Sequence, residues 1–469
     1  MIKPEELTIS DYLGRILECE CGRLHSTPLE YVDITAGAIG GIPKLLKSWG
    51  KGNAFIVSDC NTYAAAGRQV ASVLAEQGIG TVEHVFPQTE LVPDEKSVGA
   101  LMTAFDPRCD VMIAVGTGTI NDLCKFSSYK LRTDYLVVAT APSMDGFASG
   151  GAALITENLK TTYDTHIARA IIGDLDVLMA APMPMLNAGF ADILGKCSCL
   201  CDWKLSAIIN GEYYCQAIVD MVQLSIRRVT ASADGLKVRD PQAVQALMEA
   251  LVLTGIAMSF SGNSRPASGS EHHLSHFWEM RFLLDGRHPV LHGTKVGIGT
   301  VASLKAYSLL KELTPDFDKA TRHAEQFDVD GWEQQMRRVF GKAADGVIEL
   351  EQSTMKNSPV THRARLQKIR QCYPQLLDFM TTEVPDYRMA EEYLQELGAP
   401  VNPRQVGVER QMIVDAFTAA KEVRDRYTLL QFLWDLGELD EMAQAVADYF
   451  VTQTTTKGGV SIDKHTVGA

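Results

Sequence analysis

The residues that could do chemistry cluster between Gly262 and Lys295. The stretch Gly262–His276 reads G-N-S-R-P-A-S-G-S-E-H-H-L-S-H, and Leu291–Lys295 reads L-H-G-T-K. Histidines therefore stand at the start of one predicted helix (His272, His273, His276), and another, His292, follows twenty residues after the first. Upstream, G-F-A-D-I-L-G-K puts an acid, Asp192, inside an otherwise apolar helical run. One carboxylate and two imidazoles brought together by folding can hold a divalent cation and leave positions open for substrate and water. On a helix His273 points about 100° away from His272, and His276 returns to its face.

The elements that must position these groups follow two patterns. From Tyr31 to about Asp176, short apolar runs alternate with amphipathic stretches. Strands are predicted at Tyr31–Thr35, Ala54–Ser58, Thr81–Phe86, Val111–Val115, Tyr135–Ala139 and Ala170–Gly173. Helices are predicted at Thr62–Gln77, Asp94–Ala104 and Thr119–Leu131. Buried strands separated by helices imply a parallel sheet covered on both faces. After Pro182 the pattern becomes helix after helix, among them Ala243–Ser259, Asp330–Phe340, Thr361–Tyr373 and Leu429–Tyr449. We expect an α/β dinucleotide-binding domain over residues 1–180, a helical metal- and substrate-binding domain over 181–456, and a disordered tail over 457–469.

Within the first half, V-M-I-A-V-G-T-G-T-I-N-D at Val111–Asp122 is a strand, a glycine turn and a helix. Gly116, Thr117 and Gly118 form the turn, and the amides of Thr119 and Ile120 open the helix, where a phosphate is stabilised by the helix dipole. Asn121 stands where the third glycine of the six-residue dinucleotide fingerprint would be. At the end of an earlier strand, I-V-S-D-C-N-T places Asp59 where a carboxylate can accept hydrogen bonds from an adenosine ribose and repel a 2′-phosphate. That favours NAD over NADP. Read alone, each of these features is also an ordinary turn or helix cap.

The chain has 469 residues, 46 % of them hydrophobic and 22 % charged, with 44 basic and 58 acidic side chains giving a net charge of −14. The length implies two domains, and the acidic balance argues against nonspecific nucleic-acid or anionic-membrane binding. With neither a signal pattern nor an uninterrupted apolar run of about 18 residues, we expect a cytoplasmic protein without membrane insertion. Cys19 and Cys21 with His25, and Cys197, Cys199 and Cys201, lack a partner C-x-x-C pair and read as reduced thiols.

Six motifs in order, C-G-R-L-H-S-T-P-L, V-G-T-G-T-I-N-D, T-A-P-S-M-D-G-F-A-S, G-F-A-D-I-L-G-K, S-R-P-A-S-G-S-E-H and L-H-G, span almost the whole stretch from Cys21 to Thr300. In them the chain resembles the bacterial sn-glycerol-1-phosphate dehydrogenases, within the superfamily of iron-containing alcohol dehydrogenases, glycerol dehydrogenase and dehydroquinate synthase. The resemblance implies a Rossmann-like nucleotide-binding domain followed by an all-α metal-binding domain of the dehydroquinate-synthase type. It implies Asp192, His272 and His292 as ligands of a zinc, nickel or iron ion, with His276 beside the substrate. It also implies that Thr140, Ala141, Pro142, Ser143 and Ser149 line the cofactor, that Asp145 contacts the substrate, and that the protein is a homodimer. The implied reaction is reduction of dihydroxyacetone phosphate to sn-glycerol 1-phosphate, the proton arriving through His276, Asp145 or water. For the phosphate, Arg265 and the amides of Ala267–Ser270 at a helix N-terminus are the expected receptor. A glycerol or polyol dehydrogenase would not need that receptor. A dehydroquinate-synthase-type lyase typically carries glutamate where Asp192 stands. A non-catalytic nucleotide sensor would leave the ligand trio without a purpose.

Overall fold

In a computed structural model the described residues are 8–156, 159–288 and 290–456. The expected disorder of 457–469 lies outside them. Eight strands concern the site: β1 (Tyr31–Asp33), β2 (Asn53–Asp59), β3 (Gly80–Phe86), β4 (Val111–Gly116), β5 (Asp134–Ala139), β6 (Gly151–Thr156), β7 (Leu159–Asp164) and β8 (Ala170–Ile172). Six of them form one parallel sheet in the order β1-β8-β5-β4-β2-β3, while β6 and β7 pair as a separate antiparallel hairpin. Each of the six predicted strands is found, and the hairpin, unpredicted from sequence, is an addition.

The apolar runs of the central strands have a direct cause. Along β2 and β4, Phe55, Val57, Met112 and Ala114 face one core, while Ala54, Ile56, Val111, Ile113 and Val115 face another. Both faces are dry, so alternation in polarity disappears. The first core is not confined to the sheet. It runs continuously into the helical half through Ile120, Leu186, Phe190 and Leu251.

From β2 the chain moves to β3 on one side, then returns to β4 on the other. This reversal opens a crevice at the carboxyl ends of β2 and β4, the position where open α/β sheets take nucleotides. The helix α1 (Gly118–Leu131) begins there.

Beyond β8 every regular element among the described residues is helical. Four helices build the site: α2 (Met183–Asn210), α3 (Pro241–Ser261), α4 (Ser270–Leu284) and α5 (His292–Lys311). The prolines at 182 and 184 cap and open α2, where a missing amide costs nothing. α2 is buried on all sides, which explains its apolar sequence. α3 is long and apolar enough to cross a membrane, but most of its apolar length is buried inside the protein. The predicted helix Leu429–Tyr449 is two, Leu429–Asp435 and Leu439–Thr456, separated at Gly437, whose φ is 69°.

Two glycines allow the approach that assembles the site. A Cβ on Gly293, next to His292, would lie 1.9 Å from the carbonyl oxygen of Ala188, so α5 can reach the α2 backbone only with glycine there. A Cβ on Gly189 would lie 1.8 Å from the carbonyl oxygen of Pro142, so the same holds between α2 and the loop after β5.

Candidate active site

Donor atoms of Asp192, His272 and His292 converge within 4.8 Å of one another. The three come from α2, the first turn of α4 and the first residue of α5. His272 Nε2 lies 3.7 Å from Asp192 Oδ1, and the rings of His272 and His292 are 5.2 Å apart. On its other side His272 Nδ1 is 2.7 Å from Glu271 Oε1. A carboxylate accepts, so Nδ1 carries the proton and the Nε2 lone pair faces Asp192. Burial and the nearby Lys196 push the His272 pKa well below the ordinary range, and burial with His272 does the same for His292. Both imidazoles are neutral at pH 7, the form a metal ligand needs. His292 Nδ1 is buried without a hydrogen-bond partner among the described residues. This donor set, with its unpartnered nitrogen, fits a divalent cation of the zinc, nickel or iron type.

Lys196, one turn after Asp192, lies under the trio. Its fully buried ammonium donates to Asp192 Oδ1 at 2.8 Å and to Ala267 O at 3.1 Å, and pairs with Asp145 Oδ2 at 2.7 Å. The Asp145 amide donates to Asp192 Oδ2 at 3.0 Å. Burial and the charge of Asp145 raise the Asp192 carboxyl to about 7, against the attraction of Lys196. With Asp192 ionised, as binding of a cation requires, two carboxylates around one ammonium leave one net negative charge for that cation to meet. Sequence reading passed over Lys196, although a lysine four residues after an acid on a helix shares its face.

His272 and His292 line a cleft of about 1470 Å³, with Asp192 fully buried beside them, and the cleft also takes in Gly118, Thr119, Met144, Asp145, Gly146 and Ser149 at the sheet end. The expected cofactor residues divide. Gly118 and Thr119 face the cleft at the start of α1. Gly116 is required by packing, since a Cβ there would lie 2.7 Å from Ile120, which is buried beneath it. Thr117 stands just before α1 and is half-buried. Thr140, Ala141, Pro142 and Ser143 are buried and form the layer behind the cleft surface. Met144, Asp145, Gly146 and Ser149 form the surface itself. Lys125, which sequence reading missed, holds this loop with bonds from its buried ammonium to Gly146 O (3.0 Å), Gly151 O (2.9 Å) and Ser149 Oγ (3.3 Å). Asp59 ends β2 at the crevice, where its Oδ1 caps the following helical turn by accepting from Thr62 N at 2.8 Å. The ribose role expected for it has to share the carboxylate with that cap.

His276 lines the cleft, its ring 6.0 Å from that of His272 and 5.9 Å from that of His292. Burial and Arg424 hold it neutral. His273 is fully buried, and neither of its nitrogens has a partner among the described residues.

The expected phosphate receptor needs correction. Arg265 is 4 % exposed and already occupied: it forms a bidentate pair with Glu212, with Nε 2.7 Å from Oε1, and donates to Tyr427 O at 2.7 Å. The amides at the head of α4 are also taken, Gly269 N by Glu271 Oε1 (2.7 Å) and Ser270 N by Asp202 Oδ2 (2.6 Å). Buried acids have capped the helix end that sequence reading assigned to an anion. The cations that face the cleft beside the histidines are instead Arg424 and Lys160. Arg424 has no carboxylate partner among the described residues, and its guanidinium makes one 3.5 Å contact, to Thr162 Oγ1. Lys160 and Lys295 share a single carboxylate, Glu279, at 2.8 and 3.8 Å, so that group keeps a positive charge. Burial lowers Lys295 to about 8, while Lys160 and Lys295 overcome burial to hold Glu279 at about 2. No local signal marks Arg424, which lies far down the chain from the motifs.

Comparison with known proteins places the chain among relatives of consistent description. The family model of iron-containing alcohol dehydrogenases matches residues 33–182. The chain is 34 % identical over 420 residues to a glycerol-1-phosphate dehydrogenase [NAD(P)+] of Halalkalibacterium halodurans, covering 89 % of this chain and 95 % of that protein. It is 32 % identical over 427 residues to the protein of the same description from Bacillus licheniformis, covering 90 % and 93 %. In fold it is similar to a glycerol dehydrogenase from Schizosaccharomyces pombe, with a TM-score of 0.57 at 13 % identity over 92 % of each chain.

Proposed function

Because the chain belongs to the glycerol-1-phosphate dehydrogenase family of oxidoreductases, we propose that its cleft reduces dihydroxyacetone phosphate reversibly to sn-glycerol 1-phosphate, using NADH or NADPH and one divalent cation. The observation that carries this reading is one continuous cleft that joins a helix N-terminus at a sheet crevice, two neutral histidines backed by the Asp192 carboxylate, and a half-buried arginine without a carboxylate partner among the described residues. At about 1470 Å³ it exceeds the roughly 300–1,000 Å³ of an ordinary small-ligand pocket, as a dinucleotide beside a triose phosphate requires.

When bound, the nicotinamide exchanges hydride with the substrate carbon and the cation supplies Lewis-acid polarisation of its oxygen. The chain's own residues do the rest. Asp192, His272 and His292 hold the cation, Glu271 fixes the tautomer of His272, and Lys196 keeps Asp145 and Asp192 side by side despite their like charge. The open amides at Gly118 and Thr119 take the pyrophosphate. Arg424, with the surplus charge of Lys160, takes the substrate phosphate. His276 is neutral, with one N–H and one lone pair, and can relay a proton between the substrate oxygen and Asp145 or solvent without holding charge. Anchors on three sides admit hydride to one face of the planar carbonyl.

Asp59 favours NAD through its charge at the ribose end of the crevice. The domain division near residue 180, a homodimer and a cytoplasmic location belong to the same proposal. A glycerol dehydrogenase reading loses the objection once drawn from Arg265, and Arg424 now carries that objection. The test is oxidation of each pure glycerol phosphate enantiomer in the presence of NAD and a supplied metal. Turnover of the 1-phosphate supports the proposal. Turnover of the 3-phosphate alone, or of glycerol with neither phosphate, overturns it.

A further inference from the structure

Outside the cleft, a second group of metal-ligating side chains meets at the N-terminal edge. The segment C-E-C-G-R-L-H at Cys19–His25 folds back at Gly22, whose φ of 80° suits glycine and whose amide donates to Cys19 O at 3.0 Å. This turn gathers Cys19, Cys21 and His25. The sequence offers no fourth ligand nearby, which is why these residues read as ordinary thiols. The fold supplies one: Cys215, which stands just before the helix Gln216–Ala231.

The donor atoms of Cys19, Cys21, His25 and Cys215 all lie within 4.8 Å of one another. Cys19 Sγ is 3.6 Å from Cys215 Sγ, Cys21 Sγ is 3.4 Å from His25 Nε2, and Cys215 Sγ is 3.6 Å from His25 Nε2. A tetrahedral zinc ion with bonds of about 2.3 Å to sulfur and about 2.0 Å to nitrogen sets ligand-to-ligand edges of about 3.5–3.8 Å. The observed separations match those edges. His25 adds an independent indication. Its Nδ1 lies 3.1 Å from the carbonyl oxygen of Phe260, which can only accept, so the proton is on Nδ1 and the Nε2 lone pair faces the sulfurs. An imidazole oriented by a backbone carbonyl on its far side is the usual outer arrangement of a metal-bound histidine.

We propose that Cys19, Cys21, His25 and Cys215 bind one structural zinc ion, distinct from the cation proposed for Asp192, His272 and His292. Three thiolates and an imidazole select zinc over harder cations such as magnesium or manganese, and four protein ligands leave no open position for substrate. Binding releases three thiol protons and leaves a centre of net charge −1. Arg23 stands close by, its guanidinium carbon 3.5 Å from the ring centroid of Tyr213, whose hydroxyl is 3.3 Å from Cys21 Sγ. The centre ties the N-terminal hairpin (Leu17–Glu18 with Leu24–His25) to the segment between α2 and Gln216–Ala231. Through His25–Phe260 and the bond from Ser259 Oγ to Ser26 O (3.2 Å) it also fixes the end of α3, where Met258, Ser259 and Gly262 line the cleft.

The experiment compares metal content and cobalt spectra of the full-length chain and its variants. The parent should carry one zinc per chain that survives a chelator treatment stripping the cleft, and the Asp192→Asn variant should retain that zinc. Cobalt loaded in its place should give an intense thiolate-to-cobalt charge-transfer band and the strong visible bands of tetrahedral cobalt. The Cys21→Ser/Cys215→Ser double variant should lose that equivalent and the band. Because this variant could fold poorly, His25→Cys serves as the complement, keeping four ligands and the zinc while shifting the cobalt spectrum toward four sulfurs. Absence of a thiolate–cobalt band in the folded parent overturns the proposal. So does recovery of Cys19 and Cys215 as a disulfide in unreduced protein, because that bond consumes two of the ligands.

Discussion

Truncating Arg424 separates the structural assignment of the phosphate site from the one suggested by the motifs. Arg424→Ala removes a guanidinium that faces the cleft and, among the described residues, hydrogen-bonds at 3.5 Å to Thr162 alone, so little folding stability should go with it. What is lost is the interaction with the substrate. Hydrogen bonds to a charged partner contribute about 1.5–3 kcal/mol, and about 1.4 kcal/mol is a tenfold change, so kcat/KM for dihydroxyacetone phosphate should fall about 10- to 100-fold. Most of the loss should appear in KM. Unphosphorylated dihydroxyacetone should be used by parent and variant within about threefold, since it never made the contact. Arg424→Lys, which keeps the charge and loses the planar fork, should fall between. Initial rates of NADH consumption on both substrates supply the numbers. Arg265→Ala should behave differently: it leaves Glu212 without its bidentate partner and should lower the thermal midpoint, acting on both substrates alike. An equal loss on both substrates in a well-folded Arg424→Ala protein, or a selective loss in Arg265→Ala alone, would refute the reasoning.

Three further outcomes follow from the site. Asp192→Asn and His292→Ala should each lose the cleft metal and turnover, whereas His276→Ala should keep the metal, measured by elemental analysis, and lose rate; metal loss in His276→Ala would show that His276 is a ligand. Burial pushes His273 well below its ordinary range, so the unfolded chain binds a proton the folded chain rejects, and stability is lost as pH falls below about 6.5. Asp192 and Asp202, raised by burial, act in the opposite sense. The clean readout is therefore a difference: His273→Leu should reduce the acid-side slope of the unfolding free energy by up to about 1.4 kcal/mol per pH unit relative to the parent in urea titrations between pH 5 and 6.5, and an unchanged slope would contradict the burial assignment. Gly189→Ala places a methyl against the Pro142 carbonyl, a backbone atom that a rotamer change cannot move, so it should cost about 3 kcal/mol or more and reduce activity; wild-type stability would show that α2 and the loop separate freely.

The order of residues along the chain marks most of the elements, though not the β6–β7 hairpin or the break at Gly437, and much of the chemistry they carry. Continuous apolar runs at Val111–Val115 and Tyr135–Ala139 mark strands covered on both faces, because periodicity is a local property of the chain. The His272–His276 spacing and the strand-turn-helix at Gly116–Gly118 were legible for the same reason, and the Asp192–Lys196 turn, though passed over, carries the same kind of signal: each relation spans fewer than about five residues and is fixed by backbone geometry alone. Arg265 shows where that logic ends. A basic residue before a helix N-terminus predicts an anion site only if the helix is uncapped and the base unpaired. Both conditions are decided by Glu212, Asp202 and Glu271, two of them distant in the chain. Arg424 and Cys215 carry no local pattern at all. They become a candidate phosphate anchor and a candidate zinc ligand only because helix packing carries them to the cleft and to the Cys19–His25 turn. Burial, which sets the protonation of His272 and Asp192, also belongs to the tertiary structure, since it depends on everything packed around a group rather than on its neighbours in sequence.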